Sequence, residues 1–232
     1  SLWAVGSSNF APYQYFTYMF AHGDFGHIIF NMLGLIFLGP MLEYTWGNKK
    51  FLTFYIVTGV GAGILFSGIE YYKDVNVRKD VEQYISAPTP DNFNLLLSEY
   101  GNDVGLENRE MLYNFLDAYS KDENNDGYVE RSKSFAQEIY GLLGSGGIML
   151  GASGAVYGIL MAFGLMFPNR ELMLLIPPIP VKAKYLVLVL GGFALYSGFQ
   201  RDSGGVAHFA HLGGMIFAFI MIKYWQYTGK LY

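Results

Sequence analysis

The chain has 232 residues, of which 52% are hydrophobic, 18% are aromatic and only 15% are charged. Soluble domains carry about 25% charged residues, so much of this protein is adapted to a medium other than water. The net charge of −4 comes without a basic cluster, which argues against a nucleic-acid partner. Cysteine is absent, which excludes disulfides, thiolate nucleophiles and cysteine-bound metals.

Five stretches are apolar enough to cross about 30 Å of hydrocarbon as helices. In chain order they are Phe25–Leu42, Phe51–Ile69, Ala152–Phe167, Tyr185–Gln200 and Ser203–Ile222. Their frequent glycines suit close helix packing in lipid and would be costly in soluble helices. The predicted fold class is therefore all-α, a polytopic membrane helix bundle.

The charges are concentrated between the second and third of these spans. Residues 72–147 hold 14 of the 19 acidic residues and 7 of the 15 Lys and Arg residues, a net charge of −7. We therefore predict three parts. Residues 1–71 form the first part of the bundle, 72–147 an acidic helical insert, and 148–232 the second part of the bundle.

The basic residues outside the insert indicate the orientation. If the spans alternate, Arg201 lies alone on one side and seven residues lie on the other: Lys49, Lys50, Arg170, Lys182, Lys184, Lys223 and Lys230. The positive-inside rule makes the side with seven charges cytoplasmic. The start of the chain, the insert and the loop at Asp202 then face outward. Because the chain opens with Ser1 on this outer side, we expect a further first span, which makes six.

The insert is predicted to form a small helical cap on the outer face. Met111, Phe115 and Tyr119 recur near helical spacing. Residues 122–130 copy the first nine positions of a calcium loop, but the twelfth, where a bidentate Glu belongs, is Lys133. We therefore interpret this segment as a solvated turn and do not expect calcium there.

Ionisable or reactive groups in membrane helices need an explanation, and all four histidines lie in or at the ends of predicted spans. Ser153, in the sequence Gly-Ala-Ser-Gly, stands at the outer end of the third span. By itself the pair Gly154 and Gly158 favours simple helix packing. A catalytic serine needs a nearby base, and His211 at the outer start of the last span is the candidate.

A second polar pair lies on the first predicted span. His27 and Asn31 are four residues apart, so they share one face of a helix. Both side chains can donate hydrogen bonds from a fixed scaffold, as an oxyanion hole requires. A polar contact between helices is the alternative interpretation.

Together these motifs resemble those of the rhomboid intramembrane serine proteases, of the bacterial type. The residues that carry the resemblance are HGDFGHIIFN with His22, His27 and Asn31, GASG with Gly151, Ala152, Ser153 and Gly154, Tyr157 four residues later, and AHLGG with Ala210, His211 and Gly214. The resemblance follows all five spans in order. The large insert and the missing first span depart from the family pattern.

The resemblance implies an intramembrane endopeptidase with Ser153 as nucleophile and His211 as general base and then acid, without an orienting carboxylate. It implies an oxyanion site made by His27, Asn31 and the backbone N–H near Ala152. Supporting roles fall to Tyr157, which stacks on the imidazole, to His22, which organises the helix end by hydrogen bonding, and to the motif glycines Gly151, Gly154 and Gly214. His208 is expected to be a rim residue.

The resemblance further implies membrane-protein substrates, no cofactor or metal, and a bacterial inner membrane with the site open to the extracytoplasmic side. Metal or proton transport through the histidines is an alternative. It is disfavoured because His22 and His27, five residues apart, would lie about 140° apart around a helix. A catalytically inactive relative acting as a chaperone is the third possibility, but Ser153 and His211 are both present.

Overall fold

A computed structural model of the chain describes residues 1–144, 147–173, 178–199 and 205–231, with side chains left aside at 205–207. Most of the described residues are helical, in agreement with the predicted fold class. Four residues named in the predictions lie outside the described residues: Gln200, Arg201, Asp202 and Ser203.

The first fifth of the chain runs from a short strand to a long helix. The elements are β1 (Leu2–Trp3), α1 (Gln14–Thr17), a 3₁₀ turn (Tyr18–Phe20) and α2 (Phe25–Trp46). Asp24 caps α2, because its carboxylate accepts a hydrogen bond from the His27 N–H at 2.8 Å. Gly47 ends the helix with a φ of +79°, a conformation that glycine adopts without strain.

Helix α3 (Asn48–Ser86) is 39 residues long and runs through the predicted boundary between the bundle and the insert. Its first half contains the predicted span, and its second half belongs to the acidic segment. It ends before Ala87, whose successor Pro88 disfavours a helical conformation at the preceding residue. The change in composition at residue 72 is thus a change of surroundings along one continuous helix.

The insert continues with α4 (Pro90–Tyr100), α5 (Leu106–Lys121) and α6 (Asp126–Leu143). They enclose one core with the second half of α3, built from Val77, Val81, Tyr84, Phe93, Leu96, Leu97, Val104, Leu112, Tyr119, Phe135, Ala136 and Ile139. In the segment resembling a calcium loop, α6 already begins at Asp126, and Lys133 forms an ion pair with Glu130 at 2.8 Å.

The chain returns to the bundle through β2 (Ile148–Met149), which pairs antiparallel with β1. It continues with α7 (Ser153–Met166), a hairpin of β3 (Glu171–Met173) and β4 (Pro180–Lys182), α8 (Ala183–Phe199) and α9 (Gly205–Tyr227). Helix α9 lies against α3, α7 and α8.

Two helices of the described residues are long and apolar enough to cross a membrane, Phe25–Trp46 and Asn48–Ser86. Ser153–Met166 and Ala183–Phe199 are apolar but shorter than 18 residues. Apolar helices of this kind, together with the sequence motifs, are typical of a membrane protein.

Candidate active site

Ser153 and His211 lie within hydrogen-bond distance of each other. Ser153 is the first residue of α7, and its Oγ is 2.9 Å from Nε2 of His211 in α9. The two helices can approach this closely because Gly154 and Gly214 face each other. A Cβ atom on Gly214 would overlap the carbonyl oxygen of Gly154.

The third helix at this crossing is α3. A Cβ atom on Gly154 would lie only 2.5 Å from the Cβ of Ala62, and one on Gly158 only 2.7 Å from the Cβ of Thr58. Real Cβ atoms do not come so near, so only glycine fits at these positions of α7. Gly154 and Gly158 therefore do lie at helix contacts, as predicted. The same close packing accompanies the short distance between Ser153 and His211.

The imidazole of His211 is held by an aromatic ring. Tyr157, one turn after Ser153 on α7, stacks on it with the ring centroids 4.2 Å apart and the planes 2° from parallel. Nδ1 of His211 is buried and has no hydrogen-bond partner among the described residues. When Nε2 accepts a proton from Ser153, Nδ1 must be the protonated nitrogen. Within the described ranges, no carboxylate bonds to this imidazole.

His27 and Asn31 lie together against the turn that precedes Ser153. Gly151 in this turn has a φ of +106°, and a Cβ atom there would overlap Nε2 of His27 and lie 3.6 Å from Nδ2 of Asn31. Asn31 is 5% exposed, and its Nδ2 has no hydrogen-bond partner among the described residues. Buried amide donors are usually paired, so an unpaired one beside the turn that precedes Ser153 is available to a ligand.

The backbone around Ser153 adds further donors. Ala152 is the N-cap residue of α7, and its side chain makes no capping hydrogen bond. The first N–H groups of an α-helix have no partner within the helix. They carry the positive end of the helix dipole, which favours negative charge at this place.

His22 lies beside His27. It precedes α2, and its ring meets that of His27 edge-on with the centroids 5.2 Å apart. The estimate that the two rings lie about 140° apart assumed one helix and is wrong. No hydrogen bond reaches Nε2 of His22 from the described residues, and Asp24 caps the helix instead.

His208 lies one turn before His211, with the ring centroids 5.8 Å apart and the planes nearly perpendicular. It also contacts Phe193 of α8 edge-on. Among the described residues, no group of three or more His, Asp or Glu side chains is placed to hold a metal ion.

Tyr18 is a residue of this site that sequence reasoning missed. Its side chain is fully buried, and its Oη donates a hydrogen bond to the carbonyl oxygen of Gly59 in α3 at 2.7 Å. Its own carbonyl oxygen accepts one from the N–H of Gly151 at 3.0 Å. Tyr18 thus connects α3 to the turn before Ser153. Both contacts are distant in sequence, so no local pattern indicates them.

Comparisons with known proteins show the family of the chain. A family model described as the Rhomboid domain matches residues 9–77 and 131–227, which is more than half of the chain. The unmatched residues between these ranges lie in α3, α4, α5 and α6.

A curated relative, "Rhomboid protease AarA" of Providencia stuartii, is 33% identical over 64 residues. The match covers 28% of this chain and 23% of the relative, so the chain aligns with less than a quarter of that protein's length. No solved structure matches the chain.

Proposed function

The chain belongs to the rhomboid family, and from that premise we propose that it is a serine endopeptidase that cuts membrane-embedded or membrane-proximal segments of other proteins. The observation that carries the proposal is the 2.9 Å separation between Ser153 Oγ and His211 Nε2. This distance lies within the range over which a base can take the proton of a nucleophile.

The proposed reaction proceeds through an acyl-enzyme. Ser153 Oγ attacks the carbonyl carbon of the scissile peptide bond while Nε2 of His211 takes the hydroxyl proton. The C–N bond then breaks, and the imidazolium gives this proton to the leaving amine. Water repeats the sequence on the ester: His211 takes a proton from the water and returns it to Ser153. Stacking on Tyr157 keeps the imidazole oriented through both halves.

The negative oxygen of the tetrahedral intermediate needs donors that are already in place. We assign this role to the side chains of His27 and Asn31 and to the backbone N–H groups at the start of α7, beside Ala152. The unpaired Nδ2 of Asn31 and the position of both side chains against Gly151 support the assignment. Losing one such donor typically lowers turnover by about 100- to 1,000-fold.

The proposed membrane arrangement has five spans in this chain and the active site near the extracytoplasmic surface. The basic residues on the opposite side support this orientation. A substrate helix has its backbone amides bonded internally and must unwind before a carbonyl reaches Ser153. We therefore expect substrates with Gly, Pro or small residues near the cleaved bond.

We further propose that the acidic insert restricts or guides the entry of substrates. Its helices share a core with the second half of α3, the helix that also contacts α7. Replacing residues 75–140 with a short linker should change the preference among protein substrates more than the rate at which a small fluorophosphonate labels Ser153. Unchanged preference and rates would contradict this role.

The central experiment is fluorophosphonate labelling of the detergent-solubilised protein, with the labelled residue identified by mass spectrometry. Ser153→Ala and His211→Ala should each abolish labelling and cleavage of a membrane substrate while the protein stays folded. Ser67→Ala is the control, since Ser67 is a serine buried in α3, and His208→Ala should have a much smaller effect than His211→Ala. Labelling that persists without Ser153 or His211 would overturn the mechanism.

A further inference from the structure

Glu70 is a buried carboxylate that the proposed chemistry does not use. It is 6% exposed on α3, just beyond the apolar part of that helix. Its Oε2 accepts a hydrogen bond from the backbone N–H of Gly147. Lys73 is a charged neighbour of Glu70: its Nζ is 3.8 Å from Oε1, and its side chain is 51% exposed. A buried carboxylate is costly unless it is bonded, so the bond to Gly147 compensates the burial of Glu70.

Gly147 begins the segment that leads to Ser153. After it, Ile148 and Met149 pair with β1, and the N–H of Gly151 donates to the carbonyl oxygen of Tyr18 at 3.0 Å. The hydrogen bond from Gly147 is therefore the first of three backbone attachments of residues 147–152. The other two backbone attachments are to β1 and to Tyr18, not to α3.

The fit of Gly147 on α3 is close. A Cβ atom on Gly147 would lie 3.0 Å from Oε2 of Glu70 and 3.7 Å from Cε2 of Phe66. A side chain at this position would force the Glu70 carboxylate to shift by a few tenths of an ångström from its place on the Gly147 N–H. The absence of a side chain thus suits the close contact between this segment and Glu70.

The same face of α3 also determines where α7 begins. Ala62, Phe66 and Glu70 are each four residues apart, so they follow one stripe of the helix. Ala62 meets Gly154, the residue after Ser153, and Glu70 binds Gly147. One stripe of a rigid helix thus contacts both ends of the segment that carries the turn before Ser153.

From this arrangement we propose that Glu70 is a positioning residue for Ser153, acting by accepting the Gly147 hydrogen bond. The proposal rests on the proposed serine-protease function and adds a role for the point where the chain re-enters the bundle from the insert. Without the bond, residues 147–152 keep on α3 only the apolar packing of Met149 near Phe66, and Gly151 and Ala152 are held less firmly beside His27 and Asn31. The nucleophile and its oxyanion donors then no longer keep their relative geometry.

The experiment measures the second-order rate of Ser153 labelling by a fluorophosphonate in four purified variants, each well below its own unfolding temperature. In Glu70→Gln the amide oxygen still accepts from Gly147, so its rate should stay within about threefold of wild type. Glu70→Ala removes the acceptor, and Glu70→Asp keeps the charge but falls one methylene short. Both should label about 10- to 100-fold more slowly, the effect typical of a small misplacement of reacting groups. The control, Asp74→Ala, removes an acceptor one turn further along α3 that bonds Tyr140 of the insert at 3.1 Å, and should label like wild type.

If Glu70 acts by positioning, Glu70→Gln should label faster than Glu70→Asp. If only its charge mattered, Glu70→Asp should label faster. A wild-type labelling rate in Glu70→Asp would overturn the role of Glu70, and so would a Glu70→Gln rate as low as that of Glu70→Ala. Neither result would affect the proposed function, provided that the wild-type protein labels at Ser153. A wild-type protein that does not label at Ser153 would instead overturn the proposed function. If Glu70→Ala does not fold, the comparison of Gln with Asp still decides the question.

Discussion

The helices of the bundle and those of the insert are held together in different ways. In the bundle, glycines stand where another helix crosses: Gly154 lies in the first turn of α7 against Ala62, and Gly158 lies further along α7 against Thr58. In the insert, Gly101, Gly105 and Gly127 stand at helix ends, and the core is aromatic, with Phe115 packing edge-on against Phe93 and Phe135.

Polar interactions divide in the same way. Five ion pairs lie between residues 70 and 138, and no ion pair joins two helices of the bundle among the described residues. The difference reflects the solvent expected around each part. Burying an apolar side chain is favourable against water, whereas against lipid the gain comes from close backbone packing.

The largest effect is expected where the bundle is most closely packed. Gly214→Ala should lower fluorophosphonate labelling of Ser153 by about 100-fold, because the new methyl group would overlap the Gly154 carbonyl and push His211 away from Ser153. Gly192→Ala is the control, since a Cβ atom there meets nothing within 4 Å. Equal labelling of both variants would mean that glycine packing does not place the dyad.

In the insert, the largest loss of stability should come from removing a buried aromatic side chain. Phe93 is fully buried, and Phe93→Ala should lower the free energy of unfolding of the insert by about 3 to 5 kcal/mol. Hydrogen exchange of the insert amides measures this, with the exposed Leu106→Ala as control. Labelling of Ser153 by the small probe should change little. A parallel loss of labelling would show that the two packing regions are not separable.

A buried hydroxyl pair gives the insert a dependence on alkaline pH. Tyr84 Oη donates to Ser132 Oγ at 2.5 Å, and burial raises the pKa of Tyr84 to about 12. The folded form therefore keeps this proton more tightly than the unfolded form, whose pKa is near 10. Stability from this group is complete below pH 10 and is lost as the pH rises towards 12. Tyr84→Phe should flatten the loss over that window in a denaturation series, and an unchanged slope would contradict the assignment.

The smallest effect is expected at the surface of the insert. Lys121 and Asp117 approach to 2.6 Å, but their side chains are 73% and 72% exposed. Asp117→Asn should lower the free energy of unfolding by about 0.3 to 0.5 kcal/mol at low salt and by less at high salt. A loss above 1 kcal/mol would mean that surface ion pairs stabilise the insert more than expected beside its aromatic core.

The sequence predicts family membership well because the motif residues are local signals. His27 and Asn31 share a helix face, and Ser153 and Tyr157 are one turn apart, so their spacing carries the geometry. Membership is confirmed by the family model, whereas the roles of these residues stay predictions. The glycines within the predicted spans likewise indicate close helix contacts, although the sequence does not show which residues they contact.

What the sequence does not reveal depends on distant contacts or on continuity. Tyr18, Gly59 and Glu70 act through partners far along the chain, without any local pattern. The predicted boundary between bundle and insert lies at residue 72 because charged residues become frequent there. A helix, however, ends at a cap or a proline, and the first such signal beyond this boundary comes at Pro88. His22 was treated as helical although Asp24 is the better cap.

The unbroken course of α3 makes the angular position of the insert around the active site a matter of residue count. Each residue of an α-helix turns the chain by about 100° and lifts it by about 1.5 Å. One extra residue after Tyr72 would therefore swing the whole insert by over a quarter of a circle relative to the stripe of Ala62, Phe66 and Glu70. Seven extra residues would nearly restore its direction and raise it by about 10 Å. Insertions of whole turns thus change mainly the height of the insert, whereas single residues change mainly its direction.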